Sequence, residues 1–578
     1  MERPLKSVFC ALAVLSACST LPCAAHAAPE DSWHVWTVTE TRKLRRSAPA
    51  GETLEVRLDA AANEWESFQI LVRAEGPVDG VRIEPTPLVG PDGHELSLQS
   101  MRLYRQHQLH LTEPTFRNQD FEPGWYPDPL IPWRHPVTLK PLRGARYTAM
   151  PFDLPAKETH GFWIDLNVPP DTPPGEYRAT YRVRADGQSP VDVPVILEVW
   201  GFTLPARPAW RTALGSPAER MRRYYERLAT EKKATPPDDW AAVDHQCAEM
   251  LHEHRINATP PPGSLSVEPQ PDRTLHAPDE QIATFQQFVD RYHVNAYRVP
   301  HPNTYVDDPD DEKQAEVLEA WLHGWDDAIE RIDRPGVVFY IYLCDEPATA
   351  DDYVYVQRWG RAIHMIGTRL KVLVTEQTWP QDSRFGDLHG CVDIWCPLFS
   401  LYRPTEARRR QKLGEQIWTY TALCQRMRTP WWHIDYPLLN YRVPAWTSWR
   451  FGITGLLYWG GMANWRYVDD PWTDPQTLDR REKSFGALFN GEGVLVYPAR
   501  AVGYEGIAPS IRLKALRDGI EDYDYLTLAA LRHEKAWTYE QVMTLTPHWF
   551  KWNEDPQAYE ETRRNLARAI LGEIERAE

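Results

Sequence analysis

A short run of aromatic and aliphatic residues ends in two adjacent carboxylates at Phe339–Pro347, in the sequence FYIYLCDEP. The length and aromatic content of this run predict a buried strand. Pro347 cannot donate to a sheet ladder, so the strand is expected to stop there and leave Asp345 and Glu346 at its C-terminal end. Neighbouring carboxylates repel, so one of the pair is expected to hold its proton more tightly and to act as a general acid. The alternative is a surface acidic pair that opens a helix, where the N-terminus favours negative charge.

The segment from about residue 210 to residue 461 alternates short strands with helices, which predicts a parallel sheet closed as a barrel or wound open. Eight candidate strands are found, at 255–258, 293–299, 338–343, 371–375, 392–397, 416–421, 431–435 and 455–459. Eight strands are what a (β/α)8 TIM-type barrel requires, and its catalytic face lies at their C-terminal ends. If 212–215 is a further strand, 431–435 is an irregular excursion, and Asp345 and Glu346 follow strand four rather than strand three.

Residues 32–205 instead show short alternating runs separated by turn residues, a pattern typical of a β-sandwich. The predicted organisation is a signal peptide at 1–27, an N-terminal β-sandwich at 28–208, a catalytic barrel at 209–535 and a C-terminal helical extension at 536–578. Within the barrel region, residues 510–526 have apolar residues at helical spacing, which predicts an amphipathic helix packed on the barrel.

The composition excludes some classes of partner. The net charge of −17 argues against nucleic acid and against an anionic membrane surface, since both require basic patches. The chain also has 25 Trp and 26 Tyr residues, whose ring faces suit the C–H faces of sugars. Past the N-terminal segment, no stretch is long and apolar enough to span a membrane.

The N-terminus has the pattern of an export signal, with Arg3 and Lys6 before an apolar run at 8–17. Two processing sites remain open. Residues 25–27 fit signal cleavage before Ala28, whereas 15–18 resemble a bacterial lipobox that would leave Cys18 acylated. We therefore expect an exported protein, periplasmic or secreted, or an outer-membrane lipoprotein.

The cysteines do not form a disulfide pattern. Beyond the signal region they are Cys247, Cys344, Cys391, Cys396 and Cys424, an odd and sparse set. Buried free thiols are expected, with a Cys391–Cys396 bond as the alternative. The absence of CxxC and HExxH patterns gives no indication of zinc, and we expect no metal and no organic cofactor.

Several spaced motifs resemble one family. They are 63–69 (NEWESFQ), 162–165 (FWID), 172–177 (TPPGEY) and 516–523 (LRDGIEDY). Together they are similar to the signatures of bacterial proteins in and around glycoside hydrolase family 123. Asp345 and Glu346 fall where that family places its catalytic pair. The resemblance spans nearly the whole chain after the signal region.

The resemblance implies release of terminal β-linked N-acetylgalactosamine by a substrate-assisted, retaining reaction. Glu346 would be the general acid and then the base, and Asp345 would orient the 2-acetamido group that attacks the anomeric carbon. The residues agree with this, because a separate carboxylate nucleophile must lie about 5 Å from the acid across the sugar. Adjacent carboxylates suit the substrate-assisted exception.

Further binding residues can be nominated by their place near strand ends. A tyrosine hydroxyl is expected to hold the acetamido oxygen, with Tyr420 as the candidate. The other nominated residues are expected to wall the site or bind sugar hydroxyls: Arg298, His301, Trp395, Trp418, Asp435, Tyr458 and Trp459. A set of charged residues in the last motif is interpreted as structural pairing and left out of the site: Arg512, Arg517, Asp518, Glu521 and Asp522.

Two other functions remain open. A relative that acts on a sugar without a 2-acetamido group would need a separate nucleophile, for which Asp435 and Asp393 are the candidates. A non-catalytic surface protein that binds glycans is the other alternative, because a barrel fold alone does not establish catalysis. All three hypotheses imply an oligosaccharide or glycoconjugate partner.

Overall fold

The computed structural model of the chain describes residues 33–269, 275–423, 425, 428–477 and 488–574. The expected export signal, its two processing sites and Cys18 lie outside these residues, as does Cys424. In the described part of the chain, every helix is too short or too polar to cross a lipid bilayer.

Residues 33–203 fold into strands that form two sheets. These strands are β1 (Trp33–Thr39), β2 (Val56–Ala62), β3 (Glu64–Ala74), β4 (Val78–Glu84), β5 (Leu88–Val89), β6 (Glu95–Leu96), β7 (Met101–Leu111), β8 (Gly124–Pro132), β9 (Phe152–Leu154), β10 (Thr159–Val168), β11 (Gly175–Arg184) and β12 (Val191–Thr203). One sheet has the order β1-β3-β10-β7-β8, and the other has the order β2-β12-β11-β4-β9. Alternate residues of both sheets, such as Phe162 and Ile164 of β10 and Val195 and Leu197 of β12, share one apolar core.

A parallel sheet of seven strands follows and curves into a nearly closed barrel. The strands after β12 are β13 (Arg211–Ala213), β14 (Glu268–Pro269), β15 (Leu275–His276), β16 (Ala296–Val299), β17 (Val338–Cys344), β18 (Lys371–Val374), β19 (Ile394–Trp395), β20 (Gln416–Thr421) and β21 (Gly455–Tyr458). The order in the sheet is β13-β21-β20-β19-β18-β17-β16, and all neighbours are parallel. β14 pairs with β15 alone. This architecture fits a TIM-type barrel.

Residues 255–258 lie between β13 and β16 but form no strand, and Arg255 is a turn residue with φ of +57°. The side chain of Asn257 replaces the ladder: its Nδ2 lies 2.7 Å from the carbonyl oxygen of Thr212 and 2.7 Å from Oδ1 of Asn295. The backbone N–H of Asn295 donates back to Oδ1 of Asn257 at 2.9 Å. A pair of asparagines therefore joins the two edges.

Two expectations for the barrel strands require correction. Residues 431–435 are a loop: β20 pairs directly with β21, between which the first strand list placed them, and β13 adds a strand on the other side of β21. The alternative assignment, with an extra strand near 212–215, is the correct one. Residues 255–258 occupy a strand position without being a regular strand. Asp345 and Glu346 consequently follow the fourth barrel position from the N-terminus.

Helices surround the barrel and complete the C-terminal part. They are α1 (Pro217–Thr230), α2 (Trp240–Glu253), α3 (Asp279–Tyr292), α4 (Glu312–Ile332), α5 (Ala350–Ile366), α6 (Pro404–Gln411), α7 (Leu439–Phe451), α8 (Ile511–Arg532), α9 (Lys535–Leu545) and α10 (Pro556–Leu571). A last antiparallel pair, β22 (Val496–Pro498) and β23 (Ile507–Pro509), precedes α8.

Helix α8 is buried on every face from residue 511 to residue 526. The prediction of an amphipathic helix on the barrel surface was therefore wrong. Its charged residues do have a structural role, but their partners lie in other elements. Arg512 makes a two-point ion pair with Asp128 of β8, at 2.7 and 2.9 Å. Asp522 makes a similar pair with Arg442 of α7 at 2.9 Å.

Three of the sequence motifs meet at Asp165 of β10. Its carboxylate lies 2.7 Å from the hydroxyl of Ser67, 2.5 Å from Nζ of Lys514 and 3.3 Å from Nη1 of Arg517. Burial alone would raise the pKa of Asp165, but Lys514 and Arg517 outweigh it and hold that pKa below its usual range. The motifs of the two N-terminal strands and of α8 thus form one buried ionic contact between the sandwich and the C-terminal part.

The chain from Trp33 onward clusters as one unit by its backbone contacts, so the borders at 208 and 535 remain predictions. Helices α9 and α10 pack through apolar residues such as Leu545, Leu566 and Ile570 against α8 and β12. The described cysteines Cys247, Cys344, Cys391 and Cys396 are all free thiols. The expectation of free thiols is confirmed for these residues, and the alternative Cys391–Cys396 bond is wrong.

Candidate active site

Strand β17 ends as the sequence predicts and delivers both carboxylates to the C-terminal edge of the barrel. Its register with β18 shifts between Tyr342 and Cys344, so the strand leaves the ladder just before Asp345. Irregularities of this kind re-aim side chains at barrel rims. Asp345 and Glu346 are both exposed, and both line an open cleft of about 970 Å³. The alternative in which they open a surface helix is wrong, because α5 begins only at Ala350 and is capped by Thr349.

Glu346 adopts a left-handed backbone conformation, with φ of +47°. A non-glycine residue in this region carries strain that the surrounding structure must compensate. Its backbone N–H donates to Oγ1 of Thr375, 2.8 Å away at the end of the neighbouring strand. The same hydroxyl lies 3.0 Å from Oδ1 of Asp345 and donates to it. Thr375 therefore fixes both members of the pair.

Each carboxylate accepts a hydrogen bond from a tyrosine. The hydroxyl of Tyr342 lies 2.6 Å from Oδ1 of Asp345. The hydroxyl of Tyr420 donates to Oε1 of Glu346. Burial and the charge of Asp345 raise the pKa of Tyr342 well above its usual range, so this hydroxyl stays protonated as a donor. Tyr420 is thus at the site, as the sequence predicts, but in this structure its partner is Glu346.

The cleft also contains four other nominated residues: Arg298, His301, Tyr458 and Trp459. The guanidinium of Arg298 lies 4.8 Å from the ring centre of Tyr342, a cation–π contact that orients this cation beside Asp345. Nδ1 of His301 accepts the backbone N–H of Asn303 at 3.0 Å, and its Nε2 lies 3.1 Å from the hydroxyl of Tyr355. Burial lowers the pKa of His301, so a neutral imidazole is expected there at neutral pH.

Tyr458 and Trp459 form one wall of the cleft, but their polar atoms are already used. The hydroxyl of Tyr458 accepts the backbone N–H of Gly493 at 2.9 Å. Nε1 of Trp459 donates to Oε1 of Glu492 at 2.5 Å. The half-buried Trp459 indole can therefore offer an apolar surface to a sugar, while Tyr458 supports the wall from behind.

The structure does not bring Trp395, Trp418 and Asp435 into the cleft lining. Trp395 points out of the barrel because side chains alternate along a strand, and its Nε1 donates to Glu415 at 2.5 Å. Trp418 points inward but one layer deeper, where its ring packs edge-on against that of Tyr340. Asp435 lies in the 431–435 loop and accepts the N–H and hydroxyl of Thr115 from the N-terminal region, at 2.8 and 2.6 Å.

The alternative nucleophiles also lie elsewhere. Asp393 accepts the backbone N–H of Val372 at 2.8 Å and pairs with Nε2 of His364 at 3.0 Å. Neither Asp393 nor Asp435 lines the cleft. Glu219 does line it, and this carboxylate forms an (i, i+4) ion pair with Arg223.

The sequence did not single out Tyr342, Thr375 or Glu376. Tyr342 and Thr375 contact the carboxylate pair, and Glu376 lies near Glu346. Tyr342 had a usable signal, since it precedes Asp345 by three residues on a strand whose end was placed correctly. Thr375 and Glu376 end the next strand, and their proximity depends on the strand order. Among the described residues, no group of histidine, cysteine or acidic side chains is arranged to hold a metal ion.

Residues 303–529 match the glycoside hydrolase 123 catalytic domain. A solved family 123 glycoside hydrolase from Clostridium perfringens, studied for glycolipid glycan hydrolysis, has a TM-score of 0.62 and covers 94% of this chain and 98% of its own. At 13% sequence identity this likeness shows the fold. A family 39 glycoside hydrolase from Bacteroides cellulosilyticus is 8% identical over 83% of this chain and 82% of its own, with a TM-score of 0.31. No curated protein sequence matches the chain.

Proposed function

We propose that this glycoside hydrolase, with a family 123 catalytic domain at residues 303–529, releases terminal β-linked N-acetylgalactosamine by substrate-assisted catalysis with retention. The observation that carries the proposal is the placement of Asp345 and Glu346. They are adjacent in sequence, exposed in one cleft and each hydrogen-bonded to its own tyrosine. The match to a glycosidase catalytic domain supports an enzyme over a protein that binds glycans without catalysis.

The lining of the cleft favours a nucleophile from the substrate. A retaining glycosidase with its own nucleophile requires a second carboxylate about 5 Å from the acid, across the sugar. Neither Asp393 nor Asp435 lines the cleft, and Glu219 is paired with Arg223. The 2-acetamido oxygen of the sugar can supply the missing nucleophile, since Asp345 is fixed beside Glu346 to accept the acetamido N–H.

The proposed reaction has two steps. The acetamido oxygen attacks the anomeric carbon while the glycosidic bond breaks, and Glu346 gives its proton to the leaving oxygen. Asp345 accepts a hydrogen bond from the amide N–H and stabilises the positive charge of the resulting oxazolinium ring. Glu346 then removes a proton from water while the water oxygen attacks the anomeric carbon. The bond between the anomeric carbon and the acetamido oxygen breaks, which restores the acetamido group.

Two finer statements belong to the same proposal. We infer a (β/α)8 barrel in which residues 255–258 serve as the second strand, supported by the Asn257–Asn295 pair. We also infer export of the chain from its N-terminal sequence, with lipidation of Cys18 as a testable alternative. Mass spectrometry of the mature N-terminus distinguishes cleavage before Ala28 from an acylated Cys18.

Hydrolysis of aryl glycosides tests the function. Nitrophenyl β-N-acetylgalactosaminide should be cleaved faster than the corresponding galactoside, and an N-acetylgalactosamine thiazoline should inhibit, because it resembles the oxazoline intermediate. The Glu346→Gln variant should lose activity by roughly 10²–10⁴-fold. Glu219→Gln, which removes another carboxylate of the same cleft, should keep most of it. Turnover of a galactoside without thiazoline inhibition, lost in Glu219→Gln, would show a separate nucleophile instead.

A further inference from the structure

A third carboxylate, Glu376, lies buried directly behind the catalytic pair. It follows Thr375 at the end of β18 and is 2% exposed. A buried carboxylate is unfavourable unless hydrogen bonds compensate it. Its Oε1 accepts from the Tyr353 hydroxyl at 3.1 Å and from Nε2 of Gln377, and its Oε2 accepts from Nε2 of Gln381 at 3.0 Å. Glu376 does not line the cleft, so it does not contact a bound sugar.

The hydrogen bonds of Glu376 lead to the turn that holds the catalytic residues. Nε2 of Gln381 also donates to the carbonyl oxygen of Pro347, 2.9 Å away and one residue beyond Glu346. The backbone N–H of Gln381 donates to the Tyr353 hydroxyl at 3.1 Å, which ties the network to α5. Thr375 fixes the turn on one side, through Glu346 N–H, and Glu376 fixes it on the other side, through Gln381.

This arrangement explains how the left-handed conformation of Glu346 persists. A strained residue stays in place when contacts on both sides determine its backbone. The hydroxyl of Thr375 holds the backbone N–H of Glu346, while Gln381 holds the next carbonyl group. Loss of either contact would let the turn relax toward an ordinary conformation and move the acid away from the leaving oxygen.

The charge of Glu346 also acts on the Glu376 carboxylate. Burial raises the pKa of Glu376 to about 7, hydrogen bonds from Gln381 and Tyr353 oppose the rise, and the charge of Glu346 adds to it. The titratable groups that face Glu376 are Tyr353 of α5 and Cys344 and Glu346 at the end of β17.

We propose that Glu376 is a positioning residue for the reaction, which holds the Asp345–Pro347 turn in place through Gln381. The inference rests on the proposed acid role of Glu346. Gln381 makes the direct contact with the turn, and the Glu376 carboxylate fixes the side-chain amide of Gln381 that makes this contact.

Glu376→Gln and Gln381→Ala test this role through kcat and KM on the nitrophenyl glycoside. In Gln381→Ala we expect kcat to fall several-fold with KM nearly unchanged, because the turn displaces the acid while the residues that line the cleft stay in place. In Glu376→Gln we expect a loss of the same kind, because an amide offers one acceptor oxygen where the carboxylate uses two. Asp387→Asn removes an exposed charge from the same loop and is the matched control, with an unchanged kcat.

The outcomes are distinct. A wild-type kcat in Glu376→Gln overturns the inference, and so does an equal loss of kcat in Asp387→Asn. If Glu376→Gln does not fold, as seen by circular dichroism, a wild-type kcat in Gln381→Ala still overturns it. A wild-type enzyme without activity on the N-acetylgalactosaminide refutes the proposed function instead. The variants are then compared on whichever aryl glycoside it cleaves, and inactivity on all of them refutes both.

Discussion

The hydroxyl of Tyr342 lies 2.6 Å from Oδ1 of Asp345, three residues further along the same strand and turn. The contact is possible because the strand leaves its regular register between Tyr342 and Cys344. The strand that precedes the Asp345–Pro347 turn therefore helps to orient Asp345.

We expect Tyr342→Phe to lower kcat/KM by roughly tenfold to a hundredfold, which is the effect of removing one hydrogen bond to a charged group. Because Asp345 is proposed to orient the acetamido group, the affinity for the thiazoline inhibitor should fall as well. Steady-state kinetics and inhibitor titration measure both. Tyr340→Phe, on the same face of the same strand, is the control, and in the described structure its hydroxyl makes no hydrogen bond to either carboxylate. Equal losses in the two variants would contradict this role.

Thr375 offers a sharper test, because its one hydroxyl contacts both Asp345 and Glu346. Thr375→Val keeps the shape but removes the acceptor for Glu346 N–H and the donor to Asp345. We expect kcat to fall by about tenfold or more, since a buried N–H then lacks its partner and the left-handed turn relaxes. Thr375→Ser keeps the hydroxyl and should restore most of the activity. A fully active valine variant would show that the turn does not need this contact.

Asp435 should affect stability rather than substrate binding. Its carboxylate accepts hydrogen bonds from the backbone and hydroxyl of Thr115 and from Asn118, which attach the N-terminal region to the barrel loops. Asp435→Asn keeps the size but weakens these bonds. We expect a loss of about 1–3 kcal/mol of unfolding free energy, with KM unchanged. Denaturant unfolding and kinetics on the same sample distinguish this from a role in sugar binding, which would raise KM.

The buried carboxylates of α8 predict how stability depends on pH. Burial raises the pKa of Glu521 to about 8 and that of Asp518 to about 7, against an ordinary value of 4.5 for the glutamate. The folded state therefore keeps protons that the unfolded chain releases. The stability from these groups is fully present below about pH 4 and is lost as pH rises to about 8.

Glu521→Gln tests that dependence, because an amide does not titrate. As pH rises from 5 to 8, the denaturant concentration at the unfolding midpoint of the wild type should decrease. The decrease should be smaller in the variant. Lys514 does not obscure this window, since burial lowers its pKa to about 8 and its effect appears above that pH. Identical slopes in both proteins would mean that Glu521 does not stay protonated in the fold.

Much of the barrel could be predicted from local sequence, and the errors have physical causes. The strand before Asp345 and the strand containing Tyr420 follow from periodicity and from proline. The aromatic 431–435 run was included in the first strand list because composition does not distinguish a strand from a loop with buried side chains. Trp395 was misplaced because a strand of two residues, Ile394–Trp395, gives too little alternation to tell inside from outside.

The sequence by itself determined the position of the candidate pair Asp345 and Glu346, since an aromatic strand that stops at a proline must present the two residues before it at a sheet edge. It also determined the alternation of strands and helices that makes a barrel. Only the tertiary structure decided what surrounds the pair. Thr375, Tyr420 and Glu376 come from other strands, and which strands are neighbours depends on packing across the whole barrel. The same holds for α8, whose charged residues were interpreted as pairs within one helix but have their partners in β8, β10 and α7.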